Sequence, residues 1–311
     1  MDAVTGLLDG PRARGAFVLR CVMEPPWSLR VQDQAPLTLV AQVSGSSVIS
    51  RGGPAQHLRA GEVAVLRGPD PYTMSDHEGT PPQAVVHPGQ RCTTPDGVEL
   101  PGTWHHGVRT WGNRPDGSTT MLVGTYELAG EVGDRLLRAL PPVLVVPSGA
   151  AGALVPMLAD ELERGEPGQE AVLDRLLDLL LITVVRQWFA RPDAEPPAWY
   201  AAWGDPVVGT ALRAIHHSPA ESWTVERLAV AAGVSRAALA RRFTELVGEP
   251  PMTFLTGWRI ALAADLLTRP DETVGSVARR VGYSTPFALS TAFKRVRGVS
   301  PQQHRARVGV A

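Results

Sequence analysis

Lysine is almost missing from these 311 residues: Lys294 is the only one, and arginine supplies the rest of the 30 basic side chains. With 31 Gly, 28 Pro and abundant Ala, this is the composition of a protein encoded by a GC-rich genome, so arginine usage alone says little about phosphate binding. Cysteine is scarce too. Cys21 and Cys92 are too few for a disulfide framework or a Cys-rich zinc module, and each is expected to be a small buried or half-buried thiol. Eighteen apolar residues never run together, so no membrane partner is expected. The opening Met1-Asp2-Ala3 lacks the basic and apolar segments of a secretory signal, and a cytoplasmic location is the expectation.

Net charge is also nearly absent, at -1, but it is unevenly spread. From Asp205 to Ala311 there are 14 Lys+Arg against 8 Asp+Glu, a net of +6, whereas the remainder holds 16 against 23, a net of -7. A basic C-terminal third is what a phosphate-binding surface requires. The length suggests two domains, and 44% hydrophobic with 20% charged residues is the balance of a globular protein.

What is present in that basic third is one pattern written twice. The first copy runs Leu228-Ala229 to Gly233, then Ser235, Leu239 and Phe243, and closes on Gly248 and Pro251. The second runs Val277-Ala278 to Gly282, then Thr285, Leu289 and Phe293, and closes on Gly298 and Pro301. The spacing is 49 residues up to the first glycine and 50 after it, so the second copy has one extra residue in its turn. Each copy reads as a helix-turn-helix: a short helix stops at a glycine, and Ser235 or Thr285 caps the next helix by accepting from its free N–H groups. Leu239 and Phe243, or Leu289 and Phe293, sit four apart and anchor one face, leaving the other for a major groove.

The stretch Ala278 to Gly282 with Tyr283, then Phe293-Lys294-Arg295, Gly298, Ser300-Pro301 and Arg305, resembles the signature of AraC-type (AraC/XylS) transcription regulators. Trp223-Thr224, Leu228-Ala229, Gly233, Ser235, Leu239 and Arg241 to Phe243 resemble that family's first unit. The resemblance implies two helix-turn-helix units, at about 224–248 and 273–298, that place their recognition helices in successive major grooves of double-stranded promoter or operator DNA. Carried over by position, base contacts fall to Arg236, Ala237, Ala240 and Arg241 in the first unit. In the second they fall to Pro286, Phe287, Ala288, Ser290 and Thr291, and phosphates fall to Arg242, Lys294 and Arg295. Two arginines suit the first helix to guanine edges. Thr291 stands where the family often has arginine, so the second helix suits thymine methyls, through Phe287 or Ala288, and phosphate positioning. Phe287 also has a plainer reading as a core residue.

Residues 14 to 128 read as β. Gly15–Val22, Ser28–Val31, Leu37–Val43, Ser47–Ser50, Glu62–Leu66, Ala84–His87 and Thr120–Leu128 are short β-branched or alternating runs separated by proline and glycine. Leu58 to Leu66 resembles the turn-and-strand signature of cupin barrels, found in the effector domains of many AraC-type regulators. Tyr72 stands where metal-dependent cupins often carry a histidine, so no metal or other cofactor is expected. His105 and His106 are adjacent and would point to opposite faces of a strand. Clustering of His87, Cys92, His105 and His106 stays open, and residues 87–118, broken by four Pro/Gly turns, read as a polar surface insertion. Trp27, Tyr72 and Trp104 are the candidate walls of an effector pocket for an unknown small molecule.

Residues 151 to 190 switch to helical period: Leu154, Leu158 and Leu162 form one stripe, and Val172, Leu173, Leu176, Leu177, Leu180, Val184, Val185 and Trp188 a wider one. The wider stripe either packs on the barrel alone or also pairs with its copy in a homodimer, as helices after the barrel do in AraC-type proteins. Thr253 to Thr268 is an apolar helix about 24 Å long, a strut between the two readers. The expected fold class is α+β: a cupin-like β-barrel or jelly roll with following helices (1–190), a Pro-rich linker (191–204), and an all-α domain with two helix-turn-helix units (205–311). The functional expectation is a sequence-specific, effector-responsive transcription regulator, not an enzyme, with RNA polymerase as a candidate partner. Its competitors are an architectural DNA binder and a cupin-type metal-dependent oxygenase with a DNA-binding tail.

Overall fold

The structure is a computed structural model that describes residues 17–107, 109–126, 139–147 and 149–308. Two compact units emerge, one built from Pro11–Leu128 with Leu140–Ala194 and the other chiefly from Glu195–Ala311.

The strands of the first unit are β1 (Phe17–Met23), β2 (Ser28–Val31), β3 (Leu37–Ser44), β4 (Ser46–Ser50), β5 (Gln56–Arg59), β6 (Val63–Arg67) and β7 (Tyr72–Ser75). They continue as β8 (Ala84–Val86), β9 (Cys92–Thr93), β10 (His105–Gly107), β11 (Thr110–Trp111), β12 (Thr119–Tyr126) and β13 (Val143–Val146). One sheet has the order β10-β11-β1-β12-β3-β6-β13 and the other β5-β4-β7-β2-β8-β9. Pairing is antiparallel except for β1 with β11 and β2 with β8. Cys21, Met23, Val40 and Met121 of the first sheet meet Trp27, Leu29, Ile49 and Met74 from the second sheet and its connections in one apolar core, the jelly-roll arrangement that the alternating runs imply.

Two helices follow, α1 (Leu154–Arg164) and α2 (Gln169–Phe189). Strand β3 is buried at six successive positions, as a strand covered on both faces must be. Its neighbour β12 shows what covers the outer face: a Cβ at Gly124 would lie 2.7 Å from Leu177 Cδ2, and the Tyr126 hydroxyl donates to the Leu177 carbonyl at 2.8 Å. Leu173, Leu177, Leu180, Leu181, Val184, Val185 and Phe189 form the buried face of α2.

Seven of the strands lie where the sequence places them, within a residue or two; Gly15 and Ala16 at one end and Glu127 and Leu128 at the other lie outside the described residues. The reading of residues 87–118 as a polar surface insertion is corrected. That stretch supplies β9, β10 and β11, strands of two or three residues that extend β8 and β1 rather than standing apart.

In the second unit the helices are α3 (Ala198–Ala201), α4 (Val208–His217), α5 (Val225–Ala231), α6 (Arg236–Val247) and α7 (Pro251–Leu267). Then come α8 (Val274–Arg280), α9 (Pro286–Arg297) and α10 (Pro301–Val308). Helix α3 lies inside the stretch expected to be linker, yet it packs on α6, and Ala202 after it is buried. Trp199, Tyr200 and Trp203 give this stretch apolar area to bury, and it falls with the second compact unit, which begins at Glu195.

Candidate nucleic-acid interface and internal cavity

Each half of the duplicated unit is assembled by its caps. The hydroxyls of Thr224, Ser235, Thr273 and Thr285 accept from Arg227, Ala238, Ser276 and Ala288 N–H, satisfying otherwise orphaned donors at the four helix starts. Leu239, Phe243, Leu289 and Phe293 are fully buried, as the four-residue spacing implies. Their partners come from α7. Phe243 meets Phe254 at 5.8 Å between ring centroids, and Ile260, Ala264 and Leu267 join Leu289 and Phe293 in the second unit's core. One helix thus carries both readers on successive stretches of its surface.

The outer faces are open. Arg236, Ala237 and Arg241 are exposed on α6 with Ala240 half-buried; on α9, Pro286, Phe287 and Thr291 are exposed with Ala288 and Ser290 half-buried. Phe287, at 81% exposure, is not a core residue. The arginines Arg236 and Arg241 rest on Glu226 and Glu245 at 4.0 and 3.9 Å, long contacts at exposed positions that a base edge can displace. Lys294 and Arg295 are exposed in the last turns of α9.

Arg242 is held differently from its neighbour Arg241. Its Nε and Nη2 donate to the Asp205 carboxylate at 3.0 and 2.6 Å, a link between α6 and the start of α4 by a side chain that stays half exposed. The same carboxylate accepts from the Val207 and Val208 N–H groups. The Arg242 bonds, helped by those backbone donors, hold Asp205 down at about 2. Sequence reasoning also missed Arg259 on α7, which donates to the Pro219 and Glu221 carbonyls at 2.7 and 2.6 Å and lies over the Tyr283 ring. It ties the strut to the approach of the first unit and the turn of the second.

In the first unit a cavity of about 470 Å³ opens between the two sheets. Tyr72 lines it, as expected, but Trp27 and Trp104 do not: Trp27 is fully buried in the core, and Trp104 packs at 4.9 Å on Trp111, which is the tryptophan that forms the wall. The walls are otherwise mostly aliphatic, with Asp33 and Thr38 beside Tyr72 and both cysteines of the chain. Burial pushes the Asp33 carboxyl up, and burial together with the Asp33 charge pushes the Tyr72 phenol up. The mouth carries Arg91, Glu99, His105 and Arg109, all from the segment expected to be a surface insertion.

The four residues whose clustering was open do not form a ligand set: His87 bonds Thr93 at 2.9 Å and Gln32 at 3.3 Å, His106 bonds the Gly112 carbonyl at 3.0 Å, and Cys92 and His105 face the cavity. Among the described residues no three His, Cys, Asp or Glu side chains are grouped to hold a metal ion.

Comparison with known proteins agrees in both halves. A cupin family matches residues 2–190, and a helix-turn-helix domain family matches residues 228–307. An AraC-like transcription regulator from Streptomyces antibioticus is 34% identical over 313 residues, spanning 98% of this chain and 98% of its own. This chain belongs to the AraC-like transcription regulators. A second such regulator, from Streptomyces lividans, is 33% identical over 314 residues with the same coverage. Among solved structures, the DNA-binding domain of AdpA in complex with a target DNA is 36% identical; the match covers 34% of this chain and 96% of that one, with a TM-score of 0.33. The helix-turn-helix match of this AraC-like chain spans both copies of the repeat, the part whose outward faces are described above.

Proposed function

We propose that this AraC-like regulator binds a promoter or operator sequence through α6 and α9 and alters that binding when a small organic molecule fills the cavity between its sheets. The observation that carries the first half is the pair of capped recognition helices, mounted on one strut of about 25 Å with exposed outer faces. Arg236 and Arg241 read guanine edges in one groove; Phe287 and Ala288 contact thymine methyls in the next, near the roughly 34 Å repeat of the duplex. Lys294 and Arg295 position phosphates.

The second half rests on the cavity's size and character: about 470 Å³, aliphatic and aromatic walls, and a few polar groups to fix orientation. Sensing, not catalysis, is the role assigned to it. The reading places effector binding and dimerisation in residues 1–190 and DNA binding in the region from about 198 onward, in a cytoplasmic homodimer that contacts RNA polymerase at the promoter. Footprinting on DNA flanking the gene, with and without candidate metabolites, tests it. A protected site lost on scrambled DNA and shifted by one metabolite is expected; equal affinity for every duplex would leave only an architectural binder. A ligand shown to occupy the cavity that leaves affinity and footprint unchanged at saturation would remove the sensory role.

A further inference from the structure

The cavity between the sheets has its polar and apolar groups sorted along its length. On the first sheet the rungs that line it run from Thr38 paired with Thr125, through Leu19 with Val123, to Cys21 with Met121. On the second they run from Tyr72 paired with Val31 to Met74 with Leu29. Residues 32–36 connect the Val31 end of β2 to Leu37, the neighbour of Thr38, so the polar rungs of the two sheets lie at the same end. Asp33 is in that connection and lines the cavity beside them. Trp111 pairs with Cys21, which puts the aromatic wall at the apolar end.

Asp33 is half-buried, and its Oδ1 accepts from the Ala35 N–H at 3.1 Å. Among the described residues no basic side chain forms an ion pair with it. Arg51, whose charge reaches Tyr72, is engaged by Asp70 at 3.0 Å and by the Arg67 and Pro142 carbonyls. A charge drawn out of water without a countercharge is unfavourable, and burial accordingly pushes the Asp33 carboxyl up. We propose that the cavity takes amphipathic amines, with the ammonium held between Asp33, Thr38 and the Tyr72 phenol and an apolar body reaching Met74, Met121 and Trp111.

The preference for an ammonium head follows from donors and acceptors. An ammonium offers three donors and no acceptor; a carboxylate oxygen, a phenol oxygen and a threonine hydroxyl supply three acceptors. A carboxylate head would bring a like charge to Asp33, and a neutral head would leave Asp33 without a countercharge. The arginines at the mouth do not reverse this. Arg91 is exposed and screened by solvent, and Arg109 is engaged at Nη1 by the Val18 carbonyl at 3.3 Å. The body is chosen by the apolar rungs, and about 470 Å³ is room for a drug-sized molecule. The assignment rests on the reading of this cavity as a ligand site, but not on its coupling to DNA.

The test titrates the full chain calorimetrically at neutral pH with three probes of similar shape, 4-phenylbutylamine, 4-phenylbutan-1-ol and 4-phenylbutanoate, with operator affinity measured in parallel. Expected is an amine bound about 10–100-fold more tightly than the alcohol, as a hydrogen-bonded charge pair implies, with the acid weakest. Asp33→Asn retains an oxygen for the Ala35 N–H. It should bring the amine down to the alcohol's affinity and leave the alcohol's unchanged, which also reports that the variant is folded; the wild-type series decides without it. An acid bound as tightly as the amine, equal affinities for amine and alcohol, an amine preference that survives Asp33→Asn, or no binding of any probe at millimolar concentration would overturn the proposal. An Asp33-dependent amine preference with unchanged operator affinity would uphold the head-group assignment and count against the sensory reading alone.

Discussion

Arg241 and Arg242 are adjacent in the chain and turn to different tasks, because a helix separates neighbours by about 100°. Arg241 projects from the outer face with only a long contact to Glu245, whereas Arg242 is bound by Asp205. If Arg241 reads a guanine, Arg241→Ala costs about 1–3 kcal/mol on the preferred operator and relaxes preference at one base position, as titrations on single-base variants of the operator would show. Lys294→Ala should instead weaken all sequences alike and lower the salt slope by about one. Arg242→Ala should leave the salt slope intact and destabilise the fold. Its partner sets the pH dependence: Asp205 sits at about 2 against an ordinary 3.8, so its contribution is complete above the ordinary value and is lost as pH falls toward 2. Helical circular dichroism across that acid range should fall less steeply in Asp205→Asn than in the wild type, from a lower starting stability. Superimposable acid limbs would show that the clamp contributes nothing.

At the scale of elements, the two helix-turn-helix turns share a glycine but not its surroundings. Gly233 has φ +68 and Gly282 φ +85, so both occupy the left-handed region. A Cβ at Gly233 would meet nothing within 4 Å, while one at Gly282 would stand 2.6 Å from the Ala220 carbonyl oxygen. Gly233→Ala should therefore cost about 1–2 kcal/mol of backbone strain alone, and Gly282→Ala distinctly more because backbone must move; urea melts of the two variants decide it. Equal midpoints would mean that the second turn gives way easily. The turns, caps and anchors were legible in the sequence because each rests on a local rule: a cap before a helix, a glycine after it, apolar residues four apart. The β9 to β11 strap was not, since two-residue strands show no alternation, and its paired neighbours β8 and β1 already read as strands without it. Nor was the cavity wall at Trp111, which depends on that strap. The partners of Arg242 and Arg259 were not legible for another reason: they are a carboxylate 37 residues away and backbone carbonyls about 40 away, and carbonyls leave no mark on composition.

For the whole molecule, the helix that follows the sheets holds more apolar surface than its own sheet takes up. The face of α2 formed by Leu173, Leu177, Leu180, Val184 and Val185 is buried, but Val172 and Leu179 remain 43% and 46% exposed, with Leu176 half-buried between them. Positions 172, 176 and 179 step by four and then three, the spacing of a two-helix seam in which each side chain fits between those of a partner helix. A second copy of α2 is the occupant that this spacing suits, and a dimer brings two DNA-binding regions to one operator. Placing a carboxylate in the seam separates this use of α2 from its packing on β12, because Leu179 is not part of the buried face. Leu179→Glu should turn a dimer into a monomer in sedimentation of the full chain at tens of micromolar, with its melting temperature nearly unchanged. On an operator with two half-sites the same substitution should lower affinity by about 10²–10⁴, the usual return from linking two sites, and on a single half-site it should change nothing. A wild-type chain that already sediments as a monomer, or a Leu179→Glu chain that remains a dimer, would exclude the α2 seam.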